Sequence, residues 1–430
     1  MNAVSSVLQQ AIAWTVLFFA LYAISTGKIK YEVAAFGGLL VLGLLRIGGL
    51  KTLFSGFANP ALFTVAAVLV MSAGIVESGV LSGLGRSIAK RVKQPNNQIV
   101  ALASVTAGIS AFMNNVGAIG LVLPAATRMA TRARVKQATY AMPLIYASIL
   151  GGSTTLIGTA SNVIVSNYRF QAFGQHFKMF DFAAHGLGMV AMGMLVLAIS
   201  RLIGSLQLKG GNVAIDIPKS EPLERQPERA MPQRTRKNTI IVVGSLGLAI
   251  IFASFGLVHP SIGFGLVVMA LIATKILPYK LAYQALNLPV LIFLGSMLSI
   301  ANILEETGAL SSLLSTLIPL TSSLSPYLLV LVFILVTAVL ANLIDNSVAA
   351  VLMAPIAISL FFSGAVSVSA NALLMAVAAG SSLGLVLPTH QATIVTMSKM
   401  EISRGSFIKG GLVIAVLAAI VAAGIITYIW

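Results

Sequence analysis

The sequence predicts an all-α integral membrane protein built as two inverted repeats, each of five transmembrane helices plus one re-entrant hairpin. Three observations predict it. Hydrophobic residues make up 58% of the 430-residue chain and charged residues only 9%, whereas a soluble domain carries about 25% charged residues. Apolar runs recur that are long enough to cross roughly 30 Å of hydrocarbon. Short blocks of the first half also return, in order, in the second.

The elements follow along the chain. The first apolar run, 7–25, has no basic residue before it and no small-residue cleavage site, so it reads as a retained span and not a signal peptide. Spans at 31–50 and 58–78 follow. The stretch 98–127 is interrupted by Asn114-Asn115 and reads as a re-entrant hairpin, because polar backbone at membrane depth is tolerated only where protein or a water-filled cavity covers it. Spans at 138–165 and 183–207 complete a first repeat, 1–208. The segment 209–238 is polar and rich in Pro, Arg and Glu, and reads as a cytoplasmic linker. The second repeat, 239–430, has spans at 239–257, 261–278, 288–304, 370–396 and 407–429. Its hairpin, 326–360, is interrupted by Asp345-Asn346-Ser347.

Charge sets the topology. The formal charge of +16 invites a nucleic-acid partner, but the basic residues sit in short loops between spans, which is the pattern of the positive-inside rule. Nucleic acid is therefore excluded. Arg86, Lys90, Arg91 and Lys93 precede the first hairpin, and Arg128, Arg132, Arg134 and Lys136 follow it, so both its ends are cytoplasmic. No Lys or Arg lies between Leu281 and Ser398, and Glu305 and Glu306 precede the second hairpin, which places its ends outside. With both termini external, every basic residue except Arg46, Lys51, Arg169 and Lys178 falls on the inner side of a bacterial inner (plasma) membrane.

The repeats are visible residue by residue. Pro60, Leu62, Leu69, Glu77, Gly79 and Leu81 return as Pro289, Leu291, Leu298, Glu306, Gly308 and Leu310. Asn115 and Pro124 match Asn346 and Pro355, and Gly158-Thr159 matches Pro388-Thr389. Inverted repeats with interrupted helices point to a secondary transporter whose site lies near the midplane. The interruptions are the two hairpin tips and two helix breaks. One break runs from Gly151-Gly152-Ser153 through Asn162, the other from Gly380-Ser381-Ser382 through Gln391. Freed carbonyls at such breaks bind cations, and half-helix N-termini attract anions. Single Asn or Thr residues in spans also serve plain interhelical hydrogen bonding.

Asp345 is the one acidic residue deep in an apolar stretch. An intramembrane carboxylate must be paired, protonated or ion-bound, so it is a candidate for the coupling cation or proton. A structural, hydrogen-bonded acid is the alternative. His390, at the second break, is a candidate relay or a capping residue, while His176, His185 and His259 sit near span ends and read as structural. Glu77 and Glu306, at matched span ends, read as architecture. The chain has no cysteine, hence no disulfide and no thiolate metal site. It has no P-loop, nucleophile elbow or His-Glu zinc motif, so neither ATP-driven transport nor an enzyme is supported.

At these residues the chain resembles the divalent-anion/sodium symporter family of the ion-transporter superfamily. The features that carry the resemblance are Gly56-Phe57-Ala58-Asn59-Pro60, Phe112-Met113-Asn114-Asn115 with Pro124, Gly158 to Asn162, and Asp345-Asn346-Ser347 with Pro355. The resemblance implies an elevator-type homodimer with sodium at the tips and breaks and an anion between the tips. Asn114, Asn115, Val116, Thr159, Asn346, Ser347 and Thr389 would then contact substrate. Asn115, Gly158, Ser161, Asn162, Asp345, Asn346, Pro388 and His390 would serve the coupling ion. Three positions depart from the family pattern. Asp345 is charged, Ala392 stands where asparagine is common, and Val116 replaces a hydroxyl. The expected partners are a small anion (dicarboxylate, sulfate or phosphate-like), membrane lipid and a second copy of the chain. Na⁺ or H⁺ is the expected coupling ion, with no organic cofactor and no transition metal. A Na⁺/H⁺ antiporter, a metalloid-oxyanion exporter and a passive channel remain open.

Overall fold

The computed structural model describes residues 6–25, 28–80, 92, 94–208, 236–388 and 391–430. Among these residues every regular element is helical. The first half contributes α1 (Ser6–Ser25), α2 (Tyr31–Leu44), α3 (Leu50–Ser55), α4 (Pro60–Glu77), α5 (Pro95–Ser110), α6 (Asn115–Arg132), α7 (Ala138–Gly152), α8 (Ala160–Phe173) and α9 (Ala183–Leu208). The second contributes α10 (Arg236–Ser254), α11 (Pro260–Ala273), α12 (Tyr279–Ala285), α13 (Leu288–Glu306), α14 (Ala309–Thr321), α15 (Pro326–Leu343), α16 (Asn346–Phe362), α17 (Ala370–Ser381), α18 (Gln391–Lys399) and α19 (Arg404–Ile429). Seven membrane-spanning stretches of sufficient length and apolarity occur among the described residues, consistent with a multi-pass membrane protein. The expected linker lies outside the described residues from 209 to 235.

Local chemistry starts these helices where the chain places a cap before a proline. Asn59 accepts from the Ala61 N–H at 2.9 Å ahead of Pro60, and Ser325 accepts from the Leu328 N–H ahead of Pro326. Such caps satisfy donors that the first helical turn leaves open, and proline at the first helical position has no N–H to lose. The expected span 31–50 is shorter than the apolar run. It ends at Leu44, because Arg46 and Gly48 take left-handed backbone (φ 56° and 82°) and turn the chain into α3. The spans expected at 138–165 and 370–396 are each two helices around a break. The helices α12 and α14 answer to no expected span.

The helix contacts of one half repeat in the other. Arm α5 packs on α7 as α15 packs on α17, and α9 packs on α7 as α19 packs on α17. Across the halves, α2 packs on α13 as α11 packs on α4. The first of these contacts is backbone against backbone. A Cβ at Gly151 would overlap Ala107, and one at Gly380 would overlap Ile334 and Thr337, so only glycine permits the approach.

Two helix groups result. One holds α1–α4 with α10–α14, and the other holds both hairpins, both broken helices, α9 and α19. They meet where α4 touches α6 and α8, and where α13 and α14 touch α16. At one point of this seam two histidines face each other. His176, in the loop after α8, stacks flat on Phe170 (4.3 Å) and meets the His259 ring edge-on at 4.5 Å. His259 belongs to the other group, where its Nδ1 accepts from the Ser261 N–H and caps α11. Nε2 of His176 is buried without a hydrogen-bond partner.

Burial, with His259 and Arg169 nearby, lowers the pKa of His176 from 6.5 to about 4. Burial also lowers that of His259. The folded seam therefore binds fewer protons than an opened one. The stability it lends is complete above pH 6.5 and drains away as pH falls toward 4. Because His176 is only half-buried, solvent screening leaves about 1 kcal/mol of this effect. Thermal unfolding in detergent across this range is expected to show a smaller acid loss for His176→Gln than for the native chain. Equal acid losses would mean the pair does not sense pH.

Candidate functional site

Each hairpin tip is a short non-helical link at which a new helix starts. At the first, Asn114 caps α6 by accepting from the Gly117 N–H at 2.7 Å. At the second, Asp345 caps α16 by accepting from the Ser347 N–H at 2.8 Å. The residues after the caps, Asn115 and Asn346, are buried, each 6% exposed. Their side-chain oxygens lie over glycines of the broken helices. A Cβ at Gly152 would come within 2.9 Å of the Asn115 Oδ1, and one at Gly384 within 2.5 Å of the Asn346 Oδ1. The Ser110 hydroxyl donates to the Asn115 Oδ1 at 2.9 Å.

The first break, between α7 and α8, is tied from both sides. The Thr155 hydroxyl donates to the Ala111 carbonyl at the hairpin tip. Asn162 Nδ2 donates to the Thr155 carbonyl at 2.8 Å and to that of Ser153 at 3.4 Å. This leaves Asn162 Oδ1 and Ser161 Oγ fully buried and without partners. The second break, between α17 and α18, is tied by Asn342 of the hairpin arm α15. Its Nδ2 donates to the Ala338 and Leu383 carbonyls, and its Oδ1 accepts from the Val386 and Leu387 N–H groups.

Tips and breaks converge on a cavity of about 800 Å³. Of the residues proposed from sequence, Asn114, Asn115, Val116, Gly158, Thr159, Asp345, Asn346, Ser347 and Pro388 line it. Ser161 and Asn162 do not line it; they stand on the first turn of α8, which begins at its wall. Thr389 and His390 lie outside the described residues. The sequence reading did not name Lys30, Tyr31, Asn287 or Arg404, which also line the cavity. Lys30 and Arg404 read as ordinary basic span ends, and the fold alone brings them to the same wall.

Among the described residues, the charged side chains lining the cavity are Lys30, Arg404 and Asp345. Two cationic side chains and two helix N-termini favour an anion. Asp345 already serves as the cap of its own helix, which is the structural role weighed against ion binding. Among the described residues no group of three His, Cys, Asp or Glu side chains gathers to hold a metal. A cation here would draw on uncharged oxygens, with Asp345 the one carboxylate among the described residues of the lining. An Asn at position 345 keeps a capping oxygen, whereas Ala does not. Asp345→Asn is expected to unfold within a few tenths of a kcal/mol of the native chain, and Asp345→Ala about 1 kcal/mol earlier, in thermal unfolding. Equal losses would mean the cap contributes nothing.

Comparison with known proteins adds three findings. The profile of a family described as citrate transporter (CitMHS) matches residues 19–380 and 249–430. The uncharacterized transporter sll0640 of Synechocystis is 28% identical over 48% of this chain and 35% of its own length. Sodium/sulfate cotransporter 1 of Chlamydomonas reinhardtii is 24% identical over 34% of this chain and 18% of its own length. The matched part of this chain thus spans about a third or less of these relatives. The crystal structure of the YdaH transporter of Alcanivorax borkumensis superposes with a TM-score of 0.63 over 98% of this chain and 97% of that one, at 13% identity. That likeness is one of fold.

Proposed function

The chain belongs to the citrate transporter family, and from that premise we propose that it is a secondary active transporter for a small anion, coupled to Na⁺ or H⁺. The observation that carries this reading is the convergence of both hairpin tips and both helix breaks on one cavity lined by Lys30 and Arg404. The substrate classes in view are dicarboxylates or larger carboxylates, sulfate and phosphate-like oxyanions. The family description and the sodium/sulfate cotransporter relative favour the first two.

In this reading the two halves, 1–208 and 239–430, are inverted repeats joined by a cytoplasmic linker. Their hairpins enter the membrane from opposite sides, and both termini are external in a bacterial inner membrane. The repetition of helix contacts between the halves supports it. Substrate rests between the tips against Asn114, Asn115, Val116, Thr159, Asn346, Ser347 and Thr389. The coupling ion draws on Asn115, Gly158, Ser161, Asn162, Asp345, Asn346, Pro388 and His390. The unpartnered, buried oxygens of Ser161 and Asn162 favour a cation at the first break, since an unpaired buried polar atom is costly.

The group holding the hairpins would slide against the other along the seam, an elevator-type motion in a homodimer. Residues that line the cavity from both groups, Lys30 and Asn287 from one and Asn115 and Asn346 from the other, fit a site that crosses that seam.

Uptake of labelled citrate and sulfate into proteoliposomes tests the proposal. An inward Na⁺ or H⁺ gradient is expected to accelerate uptake of one of these anions. Asn115→Ala or Asn346→Ala is expected to cut the rate at least about tenfold, the cost of one to two hydrogen bonds to a charged ligand. Proton-linked Na⁺ flux that needs no anion would replace this reading with an antiporter, with Asp345 at its centre. Anion flux that ignores both cation gradients would indicate a passive pathway.

A further inference from the structure

The two helix breaks are repeats of one another, yet different side chains hold them. At the first, Thr155 reaches the hairpin tip, and the carboxamide tie comes from the helix after the break. Asn162 spends its Nδ2 on two break carbonyls and keeps Oδ1 free, beside the equally free Ser161 hydroxyl. At the second, the residue matching Asn162 is Ala392, and the tie comes from the hairpin arm instead. Asn342 Nδ2 lies 3.0 Å from the Leu383 carbonyl in the break and 2.8 Å from the Ala338 carbonyl in its own arm. Its Oδ1 accepts from Val386 N at 2.8 Å and Leu387 N at 2.9 Å.

A primary amide offers two donors and two acceptor lone pairs. All four of Asn342's are taken by backbone groups of the protein. A cation joining a hairpin to a break would bind carbonyl oxygens of those two elements. The Asn342 Nδ2, itself a carrier of partial positive charge, already sits on one carbonyl of each.

We infer that Asn342 is a positioning residue that takes the place of a cation at the second break. The chain then carries a single coupling-cation site, at the first break, with Asn162 Oδ1 and Ser161 Oγ among its ligands, and the wider set proposed above narrows by losing Asp345, Asn346, Pro388 and His390. This rests on the cation-coupled reading above. In the second half the Thr393 hydroxyl is also buried and unpartnered, but one hydroxyl does not replace the missing carboxamide.

The test is the thermal midpoint of the purified full-length protein as NaCl replaces choline chloride at constant ionic strength, since an ion bound only by the folded state raises the midpoint by mass action. The native chain is expected to follow a one-site curve, with a Hill coefficient of about 1. Asn162→Ala is expected to lose the Na⁺ response, and should it fail to fold, Ser161→Ala is expected to weaken it about tenfold or more, the loss of one ligand. Asn342→Ala is expected to lower the midpoint in both salts while its Na⁺ half-saturation stays within about twofold of native, because no ligand is removed. A Hill coefficient near two, a Na⁺ response surviving Asn162→Ala, or a tenfold weaker half-saturation in Asn342→Ala would each overturn the inference while leaving cation coupling intact. No Na⁺ response in the native chain would instead remove Na⁺ as the coupling ion, and this inference with it.

Discussion

A helix that breaks inside an apolar protein frees N–H and C=O groups that lipid cannot satisfy, and most of this architecture follows from how those groups are met. The partners are supplied by a small set of side chains. Asn162 and Asn342 tie the two breaks, Thr155 joins the first break to its hairpin tip, and Asn114 and Asp345 cap the helices that leave the tips. The Thr155 and Asn342 ties need hairpin and broken helix in contact, and Gly151 and Gly380 allow that contact by giving up their side chains. Substituting Gly380 would separate Asn342 from the break carbonyl it must reach, and substituting Gly151 would separate Thr155 from the tip carbonyl.

From this constraint the site follows. Polar backbone and carboxamides collect where the tips meet the breaks, in a protein whose spans are otherwise apolar. The cavity they share is closed by residues of the second helix group, among them Tyr31, Asn287 and Phe293. Tyr31 meets the Phe293 ring edge-on at 5.1 Å, so part of this wall is an aromatic surface rather than a polar one. One wall is therefore set by hydrogen bonding and the other by packing. A solute held between them would feel any sliding of one group past the other.

Much of this was legible in the sequence. Asn114-Asn115 and Asp345-Asn346 announced the tips, and Gly151-Gly152 and Pro388 the breaks, because these residue types have no reason to interrupt an apolar run unless the backbone does. The ends of spans were less legible. Hydropathy measures how long an apolar run is, and so it carried 31–50 past the left-handed turn at Arg46. It also did not register α14, whose start is set by a left-handed Gly308 and whose interior contains Pro319. Asn342 lay unnoticed three residues before Asp345, since one amide in a span reads as an ordinary interhelical contact until the opposite carbonyls are known. Lys30 and Arg404 obeyed the charge rule so well that nothing in the sequence marked them as cavity residues. Their convergence is a product of tertiary packing.

The central claim is that an anion held between the tips is coupled to a cation bound where the tips and breaks meet. Equilibrium binding of labelled citrate and sulfate to the purified protein, with Na⁺ exchanged for choline and pH varied, tests it most directly. The account predicts saturable binding of one anion that tightens as Na⁺ or H⁺ rises, and a reciprocal tightening of the cation by that anion, as linkage requires. Anion binding indifferent to both cations, or no binding of any anion under any condition, would contradict it.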